Sequence, residues 1–256
     1  MLGAVRQVDR FSRIIERLSA NGSVTVADLA DEFGASPATI RRDLARLEDQ
    51  RLLARTHGGA VAHGVLYELP LRYRSVRRQE QKVRIARAMV ARVPEGAAIG
   101  LTGGTTTTEV ARALSDRRRV TVVTNSLSIA SELAVRPNMK LVLTGGVARA
   151  ESYELVGPIA EAALAALNLD VAILGVDGIS VESGLTTHHE VEAHTNRALI
   201  ERARRVVVVA DSSKLGLVAF ARICELRDVD ELITDTEAED GTIEALREAG
   251  AQVTLV

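Results

Sequence analysis

The stretch TVADLADEFGASPATIRRDLARL, residues 25–47, decides the first part of the fold. Its apolar residues recur at the spacing of a buried helical face, at Val26, Leu29, Ala30 and Phe33 and again at Ile40, Leu44 and Leu47. Thr25 and Asp28 form a capping box that starts the first helix, and Gly34 ends it. Ser36 is a good N-cap for the second helix. Because only two residues separate the helices, the sequence predicts a tight helix-turn-helix.

The flanking sequence enlarges this pair of helices to a module. Upstream, another helix is predicted from apolar residues at the same spacing, Phe11, Ile14, Ile15 and Leu18. Downstream, residues 52–55 and 59–62 predict two short strands around a turn at residues 56–58. Three helices and a β-hairpin make a winged helix-turn-helix, which we expect to span residues 1–62.

The outward face of the third helix has the residue types that contact DNA. It presents Ser36, Ala38, Thr39, Arg41 and Arg42 near its start, with Arg46 further along. An Arg guanidinium can bind guanine O6 and N7 as a fork, and hydroxyls and the helix N-terminus can hold phosphates. The alternative is that Arg41 and Arg42 are only solvated, with Asp43 and Glu48 as local partners.

Charge is distributed unevenly along the 256 residues. Residues 1–84 carry 15 Arg and Lys against 10 Asp and Glu, a balance of +5, whereas residues 85–256 carry 17 against 24, a balance of −7. This asymmetry suggests a cationic module that meets an anionic polymer, attached to an acidic body. The absence of a long apolar run, of a signal-peptide pattern and of a second cysteine beside Cys224 predicts a cytoplasmic protein without a membrane span.

The remaining sequence predicts a linker and an α/β body. Residues 63–80 combine Gly64, Pro70 and four arginines with little apolar periodicity, and are expected to be extended. A helix is predicted from Gln79. Strands are then predicted at residues 97–101, 120–124, 140–143, 171–175, 206–210 and 253–256, separated by helical stretches. This alternation favours a mostly parallel sheet covered on both faces, within a domain spanning residues 81–256.

Small and polar residues follow the predicted strands, where such sheets bind ligands. After the first strand come Thr102, Gly103, Gly104, Thr105, Thr106 and Thr107, before a helix expected at residues 109–114. Glycines allow close approach of backbone N–H groups to an anion, and hydroxyls add donors, so a phosphate is the expected ligand. The alternative is a threonine-rich turn without a ligand.

Later strands end in further candidates for the same site, namely Asn125, Gly145, Gly146, Asp177 and Lys214. Asn125 and Asp177 suit sugar hydroxyls, and Lys214 can add positive charge beside a phosphate. Each residue alone could merely cap a helix or shape a loop. As a group they indicate a phosphorylated sugar or polyol.

Motifs in both halves resemble those of DeoR-family transcriptional regulators, over nearly the whole chain. The similar stretches are residues 36–44, 55–60, 122–126, 155–158, 184–187 and 211–214. The resemblance implies that Ser36, Thr39, Arg41 and Arg42 touch operator DNA, and Arg46, Arg55 and His57 complete the candidate set. It also implies a homo-oligomer, a dimer or tetramer, and a sensor domain similar to ribose-phosphate isomerases and glucosamine-phosphate deaminases, which releases DNA when a sugar phosphate binds. Departures from the family pattern occur at Thr102, at His188-His189 and at Asn196.

Two alternatives concern chemistry at the predicted pocket. A sugar-phosphate isomerase or deaminase would need a general base, for which Asp177 is the candidate, but Ile179 stands where the deaminase pattern has a His. His188, His189 and His194 do not follow the H-E-x-x-H order of a zinc site. We therefore expect no enzyme activity, no cofactor and no metal, and assign Glu192 as an acceptor for ligand hydroxyls.

Overall fold

The computed structural model describes residues 7–50, 52–62, 71–74, 78–115 and 117–256. The chain divides into two compact units, residues 1–77 and residues 78–256. Most of the predicted linker, residues 63–70 and 75–77, lies outside the described residues. The extended conformation predicted for this segment is wrong for Leu71–Arg74, which is helical because Leu71 is buried and the short helix contacts the first helix of the chain.

The first unit is a three-helix module with a small antiparallel sheet. Its elements are α1 (Gln7–Asn21), β1 (Ser23–Thr25), α2 (Val26–Phe33), α3 (Pro37–Asp49), β2 (Leu53–Thr56), β3 (Gly59–Ala62) and α4 (Leu71–Arg74). The side chain of Thr25 accepts the N–H of Asp28, and Gly34 ends α2 in the left-handed conformation with φ 56°. Apolar faces of α1, α2 and α3 form one core. The predicted winged helix-turn-helix is therefore present, and β1, too short to give a periodic signal, adds a third strand in the order β1-β3-β2.

The second unit is built on a parallel sheet. Its helices are α5 (Gln79–Val90), α6 (Thr105–Leu114), α7 (Leu127–Leu133), α8 (Pro158–Ala165), α9 (Glu190–Ile200) and α10 (Asp240–Glu248). Its strands are β4 (Ala98–Leu101), β5 (Thr121–Thr124), β6 (Lys140–Leu143), β7 (Val147–Ala148), β8 (Leu155–Val156), β9 (Val171–Leu174), β10 (Gly178–Ser180), β11 (Gly184–Thr187), β12 (Val206–Val209), β13 (Ala221–Cys224), β14 (Glu231–Thr234) and β15 (Val253–Leu255). Seven strands pair in the order β15-β14-β12-β9-β4-β5-β6, all parallel.

Helices cover both faces of the seven-stranded sheet, as the sequence predicted. Alternate residues of one strand enter different cores: Val207 and Val209 pack in a cluster with α5, α6 and α7, whereas Val206 and Val208 pack in a cluster with α8, α9 and α10. Burial on both faces explains the unbroken valine run of β12. Among the described residues, no helix is both long and apolar enough to cross a membrane.

Three features of the second unit differ from the sequence-based expectations. The six predicted strands are confirmed to within one residue, but β14 was missed because it contains a charged residue, Glu231, which is buried and paired with Arg92 and Arg205. A small antiparallel sheet, β10-β11-β13, and a hairpin of β7 and β8 were also missed. Helix α6 begins at Thr105, not at residue 109 as predicted, because Gly104 serves as its N-cap residue.

Candidate functional site

The outer surface of α3 presents three unburied arginines. Arg41, Arg42 and Arg46 are exposed, whereas the inward residues of the same helix are buried in the first core. In the part of the chain that the structure describes, neither Arg41 nor Arg42 makes an ion pair. Their guanidinium groups are therefore available to a ligand outside the unit.

The local partners considered for these arginines are engaged elsewhere. Asp43 is buried, and its carboxylate accepts hydrogen bonds from Gln7 Nε2 at 3.0 Å and from Arg10 Nε at 2.8 Å. Glu48 accepts the backbone N–H of Arg55 at 2.9 Å. The alternative with Asp43 and Glu48 as partners of Arg41 and Arg42 is thus wrong. Asp43 instead ties α1 to α3.

The other candidate DNA contacts lie at the start of α3 and on the wing. Ser36 Oγ accepts the N–H of Thr39 at 3.2 Å, and their hydroxyl oxygens are 2.9 Å apart. Arg55 and His57 are exposed on the hairpin of β2 and β3. With the arginines of α3 these residues make up the candidate DNA-binding face, defined as Ser36, Thr39, Arg41, Arg42, Arg46, Arg55 and His57.

In the second unit, the candidate ligand residues follow the carboxyl ends of parallel strands. Gly103 and Gly104 follow β4, Asn125 follows β5, Gly145 and Gly146 follow β6, Asp177 comes soon after β9, and Lys214 after β12. Because these strands are parallel, their ends lie at one edge of the sheet. Glu192 belongs to the first turn of α9.

The turn between β4 and α6 uses some of its polar groups to hold its own shape. The hydroxyls of Thr107 and Thr108 donate to the carbonyl of Gly104, at 3.1 and 2.6 Å, and Thr102 Oγ1 accepts the N–H of Gly175 at 3.0 Å. Thr105 and Thr106, in the first turn of α6, make no side-chain hydrogen bond among the described residues. Their hydroxyls and the N-terminal N–H groups of α6 are free to bind an anion.

A buried amide and a buried carboxylate adjoin this turn. Asn125 Nδ2 donates to Glu154 Oε2 at 3.1 Å, while Asn125 Oδ1 is buried without a hydrogen-bond partner among the described residues. Glu154 lies directly on Gly103, since a Cβ added to Gly103 would be 2.1 Å from Glu154 Oε1. Only glycine fits there without displacing the carboxylate.

A second polar group centres on Asp177. Lys214 Nζ lies 3.6 Å and His188 Nε2 lies 3.9 Å from Asp177 Oδ1. The hydroxyl of Thr187 is 3.1 Å from both Asp177 Oδ2 and Glu192 Oε2, and Glu192 is also paired with Arg149. Hydroxyl-accepting carboxylates and positive charge therefore occur together at these strand ends.

The chain also matches known sequences in both units. The sequence model described as the DeoR-like helix-turn-helix domain matches residues 10–63, and the one described as the DeoR C terminal sensor domain matches residues 77–236. The chain belongs to the DeoR family. Its second unit is accordingly called the sensor unit below.

Two relatives illustrate how far the similarity to other DeoR-family proteins extends. The HTH-type transcriptional regulator GlpR of Haloferax volcanii is 40% identical over 246 residues, covering 96% of each chain. The glycerol-3-phosphate regulon repressor of Escherichia coli K12 is 33% identical over 251 residues, covering 98% of this chain and all of the relative. These names are those of regulators, so this DeoR-family chain is a DNA-binding transcriptional regulator and not an enzyme.

Comparison with solved structures gives a more distant likeness. Ribose 5-phosphate isomerase A of Methanocaldococcus jannaschii is 21% identical, with 53% of this chain and 54% of that chain covered and a TM-score of 0.41. A TM-score this low supports no comparison of sites. The α/β class of this DeoR-family sensor unit rests on its own seven-stranded sheet.

Three polar residues of this DeoR-family site were missed by the sequence reasoning. Arg149 and Glu154 belong to the hairpin of β7 and β8, whose charged sequence is typical of a solvated loop, and Asp235 follows the unpredicted strand β14. Asp235 Oδ2 accepts the N–H of Ser212 at 2.7 Å. A polar residue directly after a strand is the pattern that marked the other candidates. Asp235 follows the same pattern, but its strand, β14, was not predicted.

The glycine pair after β6 has a structural explanation in this DeoR-family fold. Gly146 has φ 127°, and a Cβ added there would lie 2.9 Å from the carbonyl oxygen of Val156. Gly145 also has a positive φ, 73°. The pair therefore lets the chain pass closely against β8, and its predicted contact with a ligand stays a prediction.

His188, His189 and His194 of this DeoR-family regulator have separate surroundings. Nδ1 of His189 accepts the N–H of Val191 and caps α9, whereas His194 is exposed and lines a surface cavity of about 500 Å³ with Arg197 and Arg222. No group of three or more metal-ligating side chains with suitable geometry occurs among residues that the structure describes.

Proposed function

We propose that this DeoR-family chain is a cytoplasmic, homo-oligomeric repressor whose operator binding is controlled by a phosphorylated sugar or polyol. The observation that carries the effector part is the polar surrounding of the α6 N-terminus. The hydroxyls of Thr105 and Thr106 make no hydrogen bond there among the described residues, and Oδ1 of Asn125, the residue that follows β5, is buried without a partner. A buried polar atom without a partner is costly, which favours a ligand that binds Asn125 Oδ1.

The phosphate of the effector is assigned to the turn after β4. The backbone N–H groups of Gly103, Gly104 and the first turn of α6, with the hydroxyls of Thr105 and Thr106, are the proposed donors. The carboxylate of Glu154, which lies on Gly103, would have to turn away from the phosphate. Lys214, which follows β12 on the far side of β9 from β4, would add a positive charge. The name of the Escherichia coli relative, which refers to glycerol 3-phosphate, supports this class of effector.

The hydroxyls of the effector are assigned to the second polar group. Asp177 and Glu192 are carboxylates joined by the hydroxyl of Thr187, and each can accept hydrogen bonds from vicinal hydroxyls. Asn125 Oδ1, which is buried without a partner among the described residues, can accept from a further hydroxyl. A polyol with one phosphate fits this arrangement, because its phosphate needs the donors of the turn after β4 and its hydroxyls need the carboxylate acceptors.

Operator DNA is assigned to the candidate DNA-binding face. Helix α3 presents its N-terminal residues as recognition helices do in the major groove, and the exposed arginines match guanine or phosphate. Control by effector requires that it bind one state of the oligomer more tightly than the other. A factor of 100 in affinity corresponds to about 2.7 kcal/mol of coupling, and residues 63–80 are the proposed connection.

The test starts with DNA fragments selected by the purified protein from its own genome. Anisotropy titrations of the tightest fragment are then repeated with sugar and polyol phosphates and with their unphosphorylated parents. We expect at least one phosphorylated compound to weaken DNA binding, and its parent to leave it unchanged. Sequence-selective binding that no compound alters would contradict the effector proposal, and binding without sequence selectivity would contradict the repressor proposal.

A further inference from the structure

Arg78 directs its side chain to the loop that follows β12. It is the first residue of the sensor unit and precedes α5 with φ 48°, in the left-handed region that non-glycine residues rarely adopt. Its side chain does not cap α5. Instead, Nη1 donates to Ser212 Oγ at 2.7 Å and to Glu237 Oε2 at 3.0 Å.

The same guanidinium faces two buried carboxylates. Nε lies 3.8 Å from Asp211 Oδ1, and Nη1 lies 3.8 Å from Asp235 Oδ1, while the side chains of these aspartates are only 6% and 0% exposed. In the described part of the chain, no other Lys or Arg forms an ion pair with either aspartate. Buried carboxylates need such compensation, because desolvating a charge without a partner is costly.

Both aspartates shape the turn that carries Lys214. Asp235 Oδ2 accepts the N–H of Ser212 at 2.7 Å, and Asp211 Oδ1 accepts the N–H of Ser213 at 3.2 Å. The resulting 3₁₀ turn, Ser212–Lys214, places the ammonium of Lys214 3.6 Å from Asp177. A continuous set of polar contacts thus runs from Arg78 to the proposed effector site.

We propose that Arg78 is a positioning residue for effector binding, which holds the turn at residues 211–214 so that Lys214 faces the site. This inference rests on the proposed function, in which Lys214 binds the effector phosphate. It also gives that site a direct connection to a residue near the end of the predicted linker, since a ligand that moves the turn must change the contacts of Arg78.

The first test needs no ligand. Amide hydrogen exchange of the full-length Arg78→Ala variant is compared with wild type, with Arg78→Lys to retain the charge, and with Arg227→Ala as a control that removes an exposed arginine paired with Glu225. We expect exchange of the amides at residues 212–214 to accelerate by about 10-fold or more in Arg78→Ala, less in Arg78→Lys, and not in the control. Unchanged protection of these amides in a folded Arg78→Ala variant would overturn the proposal.

The second test is a double-mutant cycle on ligand affinity. Inorganic phosphate and sn-glycerol 3-phosphate are titrated into wild type, Arg78→Ala, Lys214→Ala and the double variant. If Arg78 acts through Lys214, its substitution weakens binding in the wild-type background and weakens it no further in the Lys214→Ala background. Fully additive effects would overturn the positioning role. If wild type binds neither compound, the effector assignment fails for them, and the exchange measurement still decides the role of Arg78.

Discussion

Glu154 covers Gly103 so closely that its carboxylate takes the space a Cβ would need, 2.1 Å from Oε1. The obstructing atoms, Oε1, Cγ and Cδ, belong to a side chain that can change its rotamer if it gives up its hydrogen bond with Asn125. Gly178 offers a contrast, because a Cβ there would lie 2.4 Å from the backbone oxygen of Leu217, which cannot move alone. Gly103 is therefore constrained by a neighbouring side chain, and Gly178 by neighbouring backbone.

This contrast predicts different outcomes for two alanine variants. Gly103→Ala should lower the free energy of unfolding by about 1 kcal/mol, the cost of one lost hydrogen bond, and weaken effector binding, because Glu154 is pushed off the turn and away from Asn125. Gly178→Ala should cost about 1–3 kcal/mol through overpacking against backbone. Urea unfolding and ligand titration measure the two effects. Equal decreases in stability in the two variants would contradict this explanation.

The arginines of α3 are expected to supply DNA affinity. Replacing both Arg41 and Arg42 by Ala should weaken operator binding. It should also make the fall of log affinity with log salt concentration less steep, by about 1 for each phosphate that an arginine neutralises in the wild type. Arg17→Ala is the matched control, since Arg17 is an exposed arginine of α1 paired with Glu32. Anisotropy titrations over a range of salt concentrations give both quantities. Wild-type affinity in the folded double variant would remove α3 as the DNA-contacting helix.

Asp43 is expected to stabilise the first unit and not to bind DNA. Replacing it by Ala removes the acceptor of two side-chain hydrogen bonds, from Gln7 Nε2 and Arg10 Nε, which should cost about 1–3 kcal/mol. The control, Glu48→Ala, removes an exposed pair with Arg55 and should cost less than about 1 kcal/mol. Chemical unfolding monitored by circular dichroism compares them. A negligible effect of Asp43→Ala would show that the α1–α3 tie is weak.

Cys224 is expected to be inert in the native protein. Burial raises the pKa of its thiol to about 12, with a smaller contribution from Asp228. Because the folded pKa is raised, the native state holds this proton more tightly than the unfolded chain. The resulting stabilisation is complete below about pH 9 and is lost as the pH rises from there towards 12.

Thiol titration checks this expectation directly, because Cys224 is the only cysteine of the sequence. At pH 8, Ellman's reagent should react slowly with native protein and completely in denaturant. Rapid reaction of the native protein would mean that the thiol is accessible and that β13 opens readily.

Periodicity and turn residues were sufficient to predict the winged module and six strands of the main sheet. They failed where tertiary pairing overrides local character: Glu231 lies inside a strand because Arg92 and Arg205 neutralise it. The same limit applies to the ligand site. Gly103 and Lys214 were predicted because they follow strands that the sequence shows. Glu154 contacts Gly103, and Arg78 contacts Ser212, although these residues are far apart in the sequence. No local sequence pattern predicts such contacts.

The central claim, that the sensor unit binds a phosphorylated effector, is tested most directly by thermal unfolding with and without ligands. Sugar and polyol phosphates are each paired with the unphosphorylated parent, and wild type is compared with Thr106→Ala, Lys214→Ala and the exposed control Lys140→Ala. We predict that at least one phosphorylated compound raises the Tm of wild type and of Lys140→Ala, that its parent does not, and that the rise is reduced in the other two variants. Equal shifts with parent and phosphate, or an undiminished rise in Thr106→Ala and Lys214→Ala, would contradict it.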